Sequence, residues 1–173
     1  MRQIPLGRGL FALVDDEDNP WLTQWRWHAR KRTNRPGYDA VRVYRHGIGK
    51  KRITVTVVMH RLIAGAVDSK QHVDHINHDT LDNQRANLRL CSAAENHWNT
   101  MIHRDNRSGY KGISLHVDQP RLKPWRAWVQ INGKRTCVGH FATPGEAARA
   151  YDAAAIEHYG QFALTNKSLG FLD

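Results

Sequence analysis

Asp74 and His75 stand side by side in the run V-D-H-I-N-H-D-T-L-D-N-Q-R-A-N-L-R-L-C-S-A-A-E-N-H-W-N, which extends from Val73 to Asn99 and concentrates a carboxylate, an imidazole and several amides in one short stretch. These residue types suit metal-assisted cutting of a phosphodiester. The reaction needs a nucleophile made from water, and a histidine of ordinary pKa near ~6.5 takes that proton near neutral pH. His75 is the candidate base. Charge must also be neutralised on the scissile phosphate and the departing oxygen, which a divalent ion on a carboxylate supplies. Asp74 is the candidate ligand, with Asn96 as the second. Two oxygen donors favour Mg2+ or Mn2+, ions that keep waters and borrow phosphate oxygens, so that two protein ligands suffice.

The elements that position these groups are a hairpin followed by a helix. Ser92 and Glu95 form an S-x-x-E capping box, which predicts a helix with Asn96 in its first turn. Successive residues of a regular strand point to opposite faces. Asp74 and His75 therefore converge only if the strand ends or bends there, which the polar I-N-H-D-T run permits. His72, His78 and His97 carry no assigned role and are expected to meet solvent or phosphate. His60 reads as a structural ring beneath the hairpin, and Asn99 either supports the site or lies on the exposed helix face.

The spacing of Asp74, His75, Asn87 and Asn96, with M-H-R-L-I at Met59–Ile63 and L-D-N-Q-R-A-N-L-R at Leu81–Arg89, resembles the H-N-H nuclease family over about residues 58 to 100. The resemblance is to the variant whose last histidine is replaced by asparagine, as in phage homing endonucleases. It implies a ββα-metal hairpin and helix. It also implies that Asn87 braces the loop carrying His75, an orienting role with no contact to the ion.

At 173 residues and 19.9 kDa the chain holds one ordinary domain or two small ones, and its net charge of +10 and pI near 10.1 point to a polyanionic partner. Eleven Lys or Arg residues lie from Arg26 to Arg61 against a single acid, Asp39. The alternating runs A-V-R-V-Y and I-T-V-T-V-V-M in this segment predict strands with a basic exposed face. Arg30, Lys31, Arg32, Arg42, Lys50, Lys51 and Arg52 are the expected DNA contacts there, while Trp25 and Trp27 are expected to fill a core. The acidic run Asp15–Asp18 reads as a surface turn. Two cysteines without C-x-x-C spacing argue against a four-cysteine zinc site and a disulfide framework. With no apolar stretch near the ~20 residues that span a bilayer and no signal-peptide core, no membrane partner and a soluble, intracellular protein are expected.

The polar H-R-D-N-R-S at His103–Ser108 suggests a boundary between a nuclease domain, 1–102, and a second domain, 103–173. The second reads as three strands and a helix. Asn132–Gly133 is a hairpin turn signal, Thr143, Pro144 and Glu146 form a helix start, and Gly160 ends the helix. Ala147, Ala150, Tyr151, Ala154 and Ala155 form its buried stripe.

The landmarks Y-K-G-I, W-x-A-x-V-x-I, V-G-H-F-x-T and E-A-A-R-A-Y-D-A-A-A, with Gly160 and Asn166, resemble the DNA-binding domain of plant Apetala-two and ethylene-response factors over Gly109 to about Asn166. The resemblance implies a sheet that enters the major groove on the face away from the helix. Strand alternation then turns Ala127, Val129 and Ile131 to the helix and Arg126, Trp128 and Gln130 to DNA. By position, Lys111, Ser114, His116, Arg135 and Cys137 join them, although Ser114, His116 and Cys137 depart from the larger contact residues usual in that family. Arg126 and Arg135 suit guanine or phosphate, and Gln130 suits adenine. Trp128 either packs on a neighbouring strand or contacts base or sugar.

The overall expectation is an α+β protein: N-terminal antiparallel strands and an H-N-H hairpin-helix, then a three-stranded sheet on one helix. The expected activity is a site-specific DNA endonuclease dependent on Mg2+ or Mn2+. It would act on double-stranded DNA, with no obligate protein partner and a possible homodimer. By resemblance, its setting would be a phage homing endonuclease in the cytoplasm of an infected bacterium. A non-catalytic DNA-binding regulator is the alternative reading, and an RNA-cutting nuclease a third.

Overall fold

The structure is a computed structural model describing residues 1–33, 35–47, 53–116 and 122–173. Its contacts form two compact units, Met1–Ala93 and Ala94–Asp173. The sheets are antiparallel and the helices few, the α+β class expected.

In the first unit, β1 (Arg2–Gly7) and β2 (Leu10–Val14) form a hairpin whose alternation buries Ile4, Leu6, Ala12 and Val14 on one face. The short helix α1 (Asn19–Leu22) precedes a second sheet of β3 (His28–Lys31), β4 (Tyr38–His46) and β5 (Ile53–Val58). Helix α2 (Met59–Ile63) leads to a hairpin of β6 (His72–His75) and β7 (Leu88–Cys91). The core joins Ile4, Leu6, Val14, Leu22, Trp27, Met59 and Ile63, and Leu81 and Leu88 of the second hairpin pack against it.

Two expectations are corrected here. Trp27 is buried as expected and donates its indole N–H to the Leu22 carbonyl, but Trp25 is 37% exposed. It lies on the surface because its ring carries the Arg42 guanidinium, 4.0 Å from the centroid. The acidic run is not a plain surface turn either. The Asp18 carboxylate is buried and receives both Nε (2.9 Å) and Nη2 (2.7 Å) of Arg85, while Asp15 accepts the Arg85 backbone N–H at 2.8 Å. Only Asp16 and Glu17 face solvent, Asp16 binding the N-terminal ammonium.

In the second unit, helix α3 (Ala93–Trp98) straddles the start, and then β8 (Ile113–Leu115), β9 (Trp125–Ile131) and β10 (Lys134–Phe141) form a sheet beneath helix α4 (Pro144–Tyr159). Asn132 and Gly133, at φ +50° and +76°, make the turn that their sequence signals. Thr143 accepts the Glu146 N–H, Glu146 reaches back to the Ala142 N–H, and Gly160 closes the helix. Ala147, Tyr151 and Ala155 are buried as expected. Ala148, Asp152 and Tyr159 extend the stripe, and Ala150 and Ala154 sit at its margin. Gly112 is required, because at φ +76° an added Cβ would fall 2.1 Å from the Tyr151 ring.

Candidate active site and nucleic-acid interface

Strand β6 ends at His75. The His78 N–H returns to the His75 carbonyl and His78 adopts φ +65°, so the chain turns where convergence of Asp74 and His75 requires it. Both side chains are buried. Asp74 faces Arg89 directly across the antiparallel register, and the guanidinium donates Nε (2.9 Å) and Nη2 (2.7 Å) to the same oxygen, Oδ2. His75 packs edge to face with His60, with centroids 4.9 Å apart and planes at 85°. Burial lowers the His75 pKa, against the pull of the Asn83 side chain and the Asp74 charge. His60 is pushed down to about 3, first by burial and then by the neighbouring His75, Arg32, Arg61 and Arg30 charges. Both shifts favour the neutral ring over the imidazolium.

The loop between β6 and β7 is held by its own amides. Asn87 is buried, accepts the Asn77 N–H on Oδ1 at 2.9 Å and donates Nδ2 to the Asp82 carbonyl at 2.8 Å, while its carbonyl takes the Ile76 N–H. Asn77 bonds the Asp82 carboxylate at 2.7 Å, and Asp79 accepts the Leu81 N–H. Asn83, fully buried, reaches the Leu81 carbonyl through its amide and the Leu13 carbonyl through its backbone. The N-terminal hairpin thus holds the loop that follows His75. Arg61 closes the preceding turn by donating to the carbonyls of Gln71, Ala66 and Asp68.

Asn96 lies half-buried in α3, in the part of the chain that packs with the second unit, and Asn99 is buried just beyond the helix. Among the described residues no three His, Cys, Asp or Glu side chains form a metal cage. The donors proposed from the sequence, a carboxylate and an amide oxygen, are the hard oxygens that suit Mg2+ or Mn2+ completed by water and phosphate, so the residues fit such an ion.

The expected DNA contacts of the first unit divide into engaged and open side chains. Arg30 (3.1 Å) and Arg32 (3.6 Å) both pair with Asp39, Arg42 stacks on Trp25 and lies 5.6 Å from the Tyr44 centroid, and Lys31 is exposed. Lys50, Lys51 and Arg52 lie outside the described residues. Val43, Tyr44 and Ile53 are exposed where β4 and β5 run toward their connecting segment.

In the second unit Ala127 and Val129 face the helix, leaving Arg126, Trp128 and Gln130 on the other side. Arg135 stacks on Trp128 at 4.3 Å, Arg126 approaches it at 6.0 Å, and the indole N–H donates to Ser114 Oγ at 2.9 Å. Cys137 pairs with Trp128 across the register and is a free thiol. His116 closes the end of β8 with its backbone N–H on the Pro124 carbonyl. Lys111 turns to the protein: its ammonium donates to the Trp98 carbonyl at 2.6 Å, and burial lowers its pKa to about 8. Trp98 also stacks on Tyr159 at 4.5 Å.

Sequence reasoning missed Arg85, Arg89, Asn83 and Asp82. Arg89 had a usable signal, because pairing His75 with Leu88 across the hairpin places Arg89 opposite Asp74. The partners of Arg85 lie some seventy positions away and left no local mark.

The β6–β7 hairpin carries an adjacent Asp-His pair at the end of β6, and Asn87 holds the loop that follows. The HNH endonuclease family matches residues 56–98. An uncharacterized HNH endonuclease of Acanthamoeba polyphaga mimivirus is 30% identical over 161 residues, covering 93% of this chain and 77% of that protein. Protein 3.8 of Escherichia phage T7 is 34% identical over 71 residues, 41% of this chain and 56% of that protein. An AP2-like ethylene-responsive transcription factor of Arabidopsis thaliana is 32% identical over 105 residues, 60% of this chain and 19% of that protein. No solved structure matches. The chain belongs to the HNH endonuclease family, and it is therefore a nuclease acting on DNA, of a family generally dependent on a divalent metal. The reading as a non-catalytic regulator is set aside by this membership.

Proposed function

We propose that the protein is a site-specific homing endonuclease that nicks one DNA strand per active site, leaving 5′-phosphate and 3′-hydroxyl ends. The observation that carries this reading is His75, buried and with its pKa lowered by that burial, at the end of a strand that its neighbour Asp74 shares. The neutral imidazole takes the proton of the attacking water. Asn87 acts through its two side-chain hydrogen bonds, fixing the loop that determines where His75 stands. Asp74 and Asn96 would hold Mg2+ or Mn2+, which would stabilise charge on the phosphate and the 3′ oxygen.

The sheet face of the second unit, with Arg126, Trp128, Gln130 and Arg135, is the proposed reader of duplex DNA, and the basic strands of the first unit follow phosphates. The similarity to the plant transcription factor and the alternation of β9 support this part. Because Lys111 is turned inward, it acts as a support for this unit more than as a contact. Ser114 likewise reaches DNA through the indole that it holds. One site cuts one strand, so a double-strand break would require a homodimer or two binding events. The setting proposed is a phage-infected bacterial cytoplasm.

The test is conversion of supercoiled plasmids carrying a library of phage DNA to nicked circles, in Mg2+ or Mn2+ against chelator, followed by sequencing of the ends. Metal-dependent nicks at recurrent sites are expected. Uniform degradation to short fragments would overturn the site-specific reading.

A further inference from the structure

We propose that Arg42, held between the rings of Trp25 and Tyr44, is the principal phosphate contact of the first unit's basic strands, and that the two aromatic residues are positioning residues for it. This deepens the reading of those strands as a DNA surface and rests on it.

The segment from Arg26 to Arg61 has one acid among its many cations, and strand alternation decides which of them it serves. Asp39 and Arg30 are cross-strand partners, so their side chains share one face of the sheet, and Asp39 takes Arg32 as well. Arg42 stands three positions further along β4, hence on the opposite face, with Tyr44 as its neighbour two residues on. Among the described residues Arg42 has no ion pair, and its Nε is buried without a hydrogen-bond partner.

The guanidinium is placed by rings instead. It lies 4.0 Å from the Trp25 centroid and 5.6 Å from that of Tyr44. Stacking restrains the plane of a guanidinium and occupies none of its N–H groups. Trp25 is itself held, meeting Trp21 edge to face at 6.2 Å, while the Trp21 indole N–H donates to the buried Asp18 at 3.0 Å. The face that carries Arg42 is buried at Ala40, half-buried at Arg42 and exposed at Tyr44. A cation fixed at the margin of the core, with no carboxylate to give up, loses little freedom when it binds an anion. A phosphate, which accepts two parallel N–H donors from a planar fork, is the anion that such a group suits.

The experiment is fluorescence anisotropy of the full chain on two unrelated labelled duplexes, in chelator so that no strand is cut, across a range of salt concentrations. Arg42→Met is expected to weaken binding roughly tenfold on both duplexes and to lower the salt slope by about 1. Arg8→Met, which removes one charge from the exposed β1–β2 turn, is expected to cost less than about twofold. Trp25→Leu and Tyr44→Leu should each weaken binding by about threefold in the wild type and by nothing further in Arg42→Met, since they act through the guanidinium. Equal losses in Arg42→Met and Arg8→Met would reduce the effect to net charge and overturn the proposal. A loss on one duplex alone would overturn the phosphate assignment, and additive losses in the double variants would overturn the positioning role. Should Arg42→Met not fold, Arg42→Lys takes its place, keeping the charge without the planar fork. About threefold weaker binding then supports the proposal, and wild-type affinity contradicts it. A wild-type chain that binds neither duplex would overturn the DNA reading itself, and this proposal with it.

Discussion

The two units are stabilised by different means. The second packs alanines of α4 and two tyrosines on one face of a three-stranded sheet, so its order is apolar and close-fitting. The first has an apolar core as well, but it also carries buried polar side chains, each tied to a partner: Asp18 to Arg85, Asn87 to Asn77 and Asp82, and Asp74 to Arg89. A reading surface can be presented by a rigid, generic packing. A cutting site needs charged and amide groups at fixed places out of water, and those must be held by further polar groups.

The largest expected effect tests the packing of the second unit. Gly112→Ala combines a positive φ with a collision against the Tyr151 ring and should cost on the order of 3 kcal/mol, read as a lower urea midpoint for that unit. In the first unit, Arg85→Met leaves the Asp18 carboxylate buried without its guanidinium. Because Arg85 is itself half exposed, the loss is expected at about 2–3 kcal/mol, less than for a fully buried pair. Calorimetry on the two variants should lower different transitions, and a common shift of one transition would break the distinction.

Asn87→Ala removes two side-chain hydrogen bonds from the loop and is expected to cost about 1–2 kcal/mol of stability. Nicking rate should fall with DNA affinity unchanged in a filter-binding assay. A variant that nicks at the wild-type rate would show that the loop needs no brace.

The smallest effect is acid sensitivity confined to the first unit. The folded pKa of His60, about 3, lies below its ordinary 6.5. The unfolded chain therefore takes up the proton first as pH falls, and stability declines from about pH 6.5 down toward 3. Between pH 6.5 and 5 the decline should be on the order of 1–2 kcal/mol. His60→Phe, which keeps a ring against His75, should flatten that slope in urea titrations. The lowered pKa of His75 carries a parallel consequence for rate. The ring stays a competent base below pH 6.5, so the acid limb of the nicking profile should lie on the acid side of an ordinary histidine.

What the sequence disclosed follows the same division. Strand alternation in W-R-A-W-V-Q-I, the N-G turn and the Thr143–Glu146 helix start are local and periodic, and the structure has each where its pattern places it. The strand end at His75 and the helix after Ser92 were legible from the local pattern. Trp25 misled because its type fits a core equally well, and its stacking on Arg42 arises only in the completed fold. The acidic run misled because a carboxylate is buried only when a cation is brought to it from far along the chain, as Arg85 is. Such pairings depend on the completed fold.

Single-turnover nicking at saturating protein, with wild type, His75→Ala and Arg126→Ala compared on one target plasmid, tests the division of labour most directly. The account predicts that His75→Ala falls by roughly 10²- to 10⁴-fold while still binding. Arg126→Ala, which should lose about 1–3 kcal/mol of affinity, nicks at the wild-type rate once bound. His75→Ala cutting as fast as wild type would contradict the account.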